Sequence, residues 1–96
     1  MVATICKLGL FFTEEPDNLK RKRQILRSIK DRLKNRFDIS VAEVEMQDKW
    51  QRSVLGIAFV SLSEQTARKI VSKILDFIEF DGSCEVFDKY EEFYTL

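Results

Sequence analysis

A four-stranded antiparallel sheet with two helices on one of its faces is the architecture that this chain predicts. Three observations carry it. Apolar residues alternate with period two in the first stretch, where Val2, Thr4, Cys6, Leu8, Leu10 and Phe12 share one strand face. Apolar residues recur at helical spacing in two later stretches, 19–36 and 64–81. The elements then follow in the order β-α-β-β-α-β within 96 residues, with no low-complexity segment between them. The simplest solution for that order is the split βαβ, or ferredoxin-like, α+β fold, as a single domain over residues 1–96.

Each element has its own signals. Val2 to Phe12 is rich in β-branched and aromatic residues and reads as the first strand. Thr13 to Asp17, with Pro16, is a loop, and Asn18 is a good N-cap. The first helix places Leu19, Ile25, Leu26, Ile29 and Leu33 on one side, with Lys22 among them by angle; its stem is expected to snorkel along the core edge. Phe37 to Met46 reads as the second strand, Gln47 to Gln51 as a turn and Arg52 to Leu62 as the third strand. Ser63 caps a second helix that buries Ala67, Ile70, Val71, Ile74, Phe77 and Ile78 and ends at Asp81 and Gly82. Ser83 to Thr95 is the fourth strand.

The third strand is apolar on both faces. Leu55, Ile57 and Phe59 alternate with Val54, Ala58, Val60 and Leu62, and helices can cover only one set. A domain this small gains from burying more surface. A homodimer is therefore expected, with Trp50, Leu55, Ile57 and Phe59 as interface candidates.

Charge is distributed unevenly. Lys20 to Arg36 carries nine of the sixteen basic residues and one acid, Asp31, so that segment is net +8 and the remainder net −8. Lys20, Arg23, Arg27, Lys30 and Lys34 recur at +3, +4, +3 and +4 and form one stripe opposite the apolar side. Like charges at these spacings destabilise a helix by roughly 0.2–0.5 kcal/mol per pair, and bases at a helix N-terminus oppose the macrodipole. Glu14, Glu15 and Asp17 offset part of this, and Asp31 can pair with Arg27 or Lys34. A helix shaped for stability alone would interleave more acids, so the stripe points to a polyanion, with these five residues as nucleic-acid contacts.

Other classes find little support. No apolar run approaches the roughly 20 residues needed to span a bilayer, and Met1 to Phe12 reads as a strand rather than a leader, so the cytoplasm is the expected compartment. Cys6 and Cys84 lack metal spacing and read as small buried hydrophobes; a disulfide would require neighbouring strands. With no histidine and three isolated glycines, the chain shows no nucleophile, phosphate-loop or cofactor motif, and a non-enzymatic role without cofactor or small-molecule substrate is expected. Glu43, Glu45 and Asp48 are the acid cluster worth weighing. Glu43 and Glu45 would share a strand face and, with Asp48, admit a hard cation; an exposed strand face is the simpler reading. Leu55 to Leu62 partly matches the RNA-recognition-motif consensus at Gly56, Ala58, Phe59 and Val60, but lacks its basic residue and one stacking aromatic.

Several runs are shared with a known family. Asn18-Leu19-Lys20-Arg21-Lys22-Arg23, Ser28-Ile29-Lys30-Asp31-Arg32-Leu33 and Asn35-Arg36-Phe37 resemble the S-L-K-x-K-R, S-L-K-D-R-L and N-R-F runs of the YlxP-like bacterial proteins (domain of unknown function 503). Ser40-Val41-Ala42-Glu43-Val44, Gln47-Asp48, Trp50-Gln51 and Val54-Leu55-Gly56 resemble that family's S-V-A-E-V, Q-D-x-W-Q and V-L-G. The resemblance spans roughly residues 2 to 80. It implies a ferredoxin-like α+β domain of unestablished function, often encoded beside translation-initiation and ribosome-maturation factors, which favours structured RNA or the ribosome as the polyanion. The alternative expectation is a protein-interaction module that uses the free sheet face and Trp50.

Overall fold

The structure, a computed structural model, describes residues 1–96. The elements are β1 (Val2–Phe12), α1 (Leu19–Arg36), β2 (Ser40–Glu45), β3 (Arg52–Ser61), α2 (Glu64–Asp81) and β4 (Cys84–Thr95). The strands form one sheet in the order β2-β3-β1-β4, and every neighbouring pair is antiparallel. This is the ferredoxin-like arrangement, with both helices on the same face. The second strand starts three residues later than its composition predicts: Phe37 is the C-cap of α1, and its N–H still bonds to Leu33 O at 2.8 Å.

Alternation on the two central strands decides the layers. Val2, Thr4, Cys6, Leu8, Leu10 and Phe12 of β1 all point to the helices and are buried. They meet Leu55, Ile57 and Phe59 of β3, Ile25, Leu26, Ile29 and Leu33 of α1, and Ala67, Val71, Ile74 and Ile78 of α2 in one core. Leu55, Ile57 and Phe59 are 0%, 2% and 8% exposed. They are therefore core residues and not interface candidates, which corrects the expectation above. The helices select this set because Ser53, Leu55, Ile57 and Phe59 pair across from Leu10, Leu8, Cys6 and Thr4, the buried face of β1.

Both helix ends are chemically satisfied. Asn18 Oδ1 accepts from Arg21 N at 2.8 Å, and Ser63 Oγ accepts from Thr66 N at 3.1 Å. Gly82 closes α2 in the left-handed region at φ 78°, and its carbonyl accepts from Thr13 Oγ1 at 2.8 Å, tying the β1 end to the α2 end.

The opposite face of the sheet carries no secondary structure. Two glycines there make room for large neighbours. A Cβ on Gly9 would stand 2.8 Å from the Phe87 ring, and one on Gly56 would stand 2.8 Å from Val44. Bulges lie beside both contacts, at Gly9/Leu10 against β4 and at Glu43/Glu45 against β3.

Cys6 and Cys84 are buried and unbridged. Their strands are neighbours, but Cys84 pairs across from Phe12 and Cys6 from Glu91, far outside disulfide reach. Burial pushes both thiols up from 9.0 to about 11. In the unfolded chain they ionise first, so their contribution to stability is complete below pH 9 and declines as pH rises from about 9 to about 11. Thiol labelling at pH 8 should accordingly be negligible in the native protein and reach two equivalents in denaturant; rapid native labelling would contradict the buried placement.

Candidate functional site

The basic residues of α1 divide into two groups by what they touch. Four are already partnered. Arg21 pairs with Glu14 at 2.6 Å, Lys22 with Glu43 at 3.0 Å, Arg32 pairs with Asp81 of α2, and the Arg36 guanidinium lies 5.6 Å from the centre of the Phe77 ring. The five stripe residues Lys20, Arg23, Arg27, Lys30 and Lys34 form no ion pair within 4 Å. Asp31, expected to pair with Arg27 or Lys34, pairs with neither. All of the stripe residues face solvent except Lys30, which is half-buried.

Amphipathicity produces this separation. Ile25, Leu26, Ile29 and Leu33 hold one side of α1 against the sheet, so the stripe faces outward over about 21 Å, from 14 steps of about 1.5 Å. Lys20, Arg23, Arg27 and Lys30 line a groove of about 430 Å³ between α1 and the edge strand β2, with Leu26 and Glu43 at its floor. The helix has no acid in its first turn, and Glu14 reaches back to Arg21 to offset the positive macrodipole there. Lys34 and Arg36 in the last turn suit the negative end. Chemically, the arrangement offers ammonium and guanidinium donors in a row, able to neutralise and hydrogen-bond anionic oxygens.

Lys22 does not snorkel. It is 1% exposed, and its Nζ donates to Met46 O at 2.6 Å and lies 3.0 Å from Glu43 Oε2. Ser53 Oγ donates to the same carboxylate oxygen at 2.6 Å. Met46 takes a positive φ of 62°, within the turn that aims its carbonyl at the ammonium. The network fastens α1 to the β2–β3 hairpin and so fixes the stripe relative to the groove. Sequence reasoning missed this role, although one signal was present: a lysine at an apolar angle of a helix, with an acid at an inward position of the next strand.

The acid cluster is taken apart by the same geometry. The bulge at Glu43/Glu45 sends Glu43 to Lys22 and Glu45 to Lys7 on the uncovered face, so the two do not share a strand face as expected. No three Asp, Glu or Cys side chains converge as a metal cradle. The partial RNA-recognition-motif match also changes meaning. Ile57 and Phe59 occupy its stacking positions but point into the core, so the strand presents no aromatic platform. Trp50, half-exposed, sits in the β2–β3 loop and lines a shallow hollow with Glu15, Pro16, Asp17 and Arg52.

A family model described as "Protein of unknown function (DUF503)" matches residues 4–90. The chain belongs to that family. The "Uncharacterized protein YlxP" of Bacillus subtilis (strain 168) is similar to it, with 42% identity over 62 residues that cover 65% of this chain and 67% of that protein. Lys22, Glu43 and the stripe residues all lie within the stretch that the family model covers.

Removing one partner of the internal pair leaves an uncompensated buried charge. Glu43→Ala is expected to cost about 3–5 kcal/mol in urea unfolding, and Lys22→Met in the same chain should recover most of it. A loss below about 1 kcal/mol would show that the pair does not hold the hairpin to α1.

Proposed function

We propose that this protein binds structured RNA, free or within the ribosome, through the α1 stripe, as a non-enzymatic factor of the cytoplasm. The observation that carries the reading is the row of five unpartnered cations on a helix whose other bases are partnered. Their mutual repulsion is a standing cost that an anionic ligand would relieve. Anionic lipid is a poorer fit, because the apolar side of α1 is used by the core and has nothing to insert. The neighbourhood of translation genes implied by the family resemblance favours RNA over an acidic protein surface.

The mechanism is phosphate neutralisation with counterion release. Five contacts give a slope of log affinity against log salt of about −3.5 on single strands and about −4.5 on duplex. Affinity should then fall by roughly 100- to 500-fold between 50 and 200 mM salt. Replacing Arg23, Arg27 and Lys30 together by Glu should abolish binding to RNA and to ribosomal subunits in filter or fluorescence titrations, with the circular dichroism spectrum unchanged. Binding that survives the replacement, or that ignores salt, would overturn the reading.

A second outcome follows from the same repulsion. Arg23→Glu converts two like-charge contacts, with Lys20 and Arg27, into attractive ones. The variant should be more stable by about 1 kcal/mol at low salt, raising Tm by about 4–8 °C, and the gain should fade in high salt. A thermal melt at two salt concentrations checks it.

A further inference from the structure

We infer that the uncovered face of the sheet is where two copies of this chain meet, sheet against sheet. The face is too apolar to be a simple solvent surface. Ile5, Val44, Val60, Phe87, Tyr90 and Tyr94 each expose about half or more of their surface there. Between them lie small residues: Ala3 is across from Val60, Ala58 from Ile5, and Ala42 from Gly56. Large and small side chains therefore alternate across the central strands, the relief by which two sheets interdigitate.

Size and charge select a second copy as the occupant. β1, β3 and β4 are 11, 10 and 12 residues long and β2 only 6, at about 3.3 Å per residue and about 4.8 Å between strands. The face is thus about 600 Å², the lower end of what each partner of a standard interface contributes. Its central charges are already partnered within the chain. Lys7 pairs with Glu45, Tyr94 donates to Glu92, and Arg52 lies 5.9 Å from the Phe11 ring centre and 5.5 Å from that of Phe87. The charges at the centre of the face are thus engaged, while Glu85 and Asp88, toward the start of the edge strand β4, form no ion pair within 4 Å and would stay at the wet rim. Its acids, Glu45, Glu85, Asp88 and Glu92, outnumber its bases, Lys7 and Arg52, which disfavours a nucleic acid strand there. The pairing would place helices on both outer surfaces and leave each α1 stripe open, so one dimer would present two stripes.

The test is sedimentation equilibrium of the full chain, without RNA, from 1 to 100 μM, beside Val60→Asp and Phe80→Asp. Val60 is 64% exposed on the sheet face, and Phe80 is 94% exposed on α2. Both positions accept a charge in the monomer, and circular dichroism confirms folding. The expected result is a dimer whose dissociation constant rises at least 100-fold in Val60→Asp, because a symmetric interface buries the new charge twice, and stays unchanged in Phe80→Asp. A monomer throughout, or a dimer that Val60→Asp leaves intact, overturns the inference. Since RNA is absent, failure of the stripe to bind it leaves this result unaffected, and the reverse also holds.

Discussion

Two helices can cover one face of a four-stranded sheet, and that constraint governs everything else in the molecule. The antiparallel pairing of β1 with β3 brings Thr4, Cys6, Leu8 and Leu10 across from Phe59, Ile57, Leu55 and Ser53. Once α1 and α2 settle on that set, the period-two alternation assigns every other side chain to the uncovered side. A slip of one residue in β3 would bury Val60 and expose Phe59. The core, the uncovered face and the edge that borders α1 are consequences of one register.

The first helix answers to two opposing demands. Its inner side must be apolar to hold the sheet, and its outer side concentrates cations that repel one another. The fold reconciles them with local devices. Asn18 caps the end, Glu14 neutralises Arg21, Arg32 is drawn to Asp81 at the end of α2, and Lys22 is taken inside to Glu43 and the Met46 carbonyl. The five remaining cations receive no such compensation. Four of them border one groove beside β2, and the internal ion pair sets the distance between its two walls.

Much of this was legible in the residues. Apolar spacing located both helices to within a residue, because an amphipathic helix writes its burial pattern directly into sequence. The stripe was equally legible, since positions three and four apart on a helix must fall together. The β2 start was not, because Phe37 and Ile39 have strand-like composition but serve the helix end and the rim of the core. Glu43 and Glu45 look like neighbours on one strand face, and only the bulge between them separates their partners.

The sequence by itself determined the order of elements, the amphipathic sides of α1 and α2 and the concentration of positive charge, since these depend on local periodicity and composition. Tertiary structure alone decided which face of β3 is core, because both faces are apolar and pairing with β1 breaks the tie. It alone decided that Lys22 is an internal ion-pair partner and that the stripe lysines and arginines are free, because partners such as Glu43, Asp81 and Phe77 are remote in sequence from the bases they engage. Local periodicity states what a side chain can face, and the packing of distant elements states what it finds there.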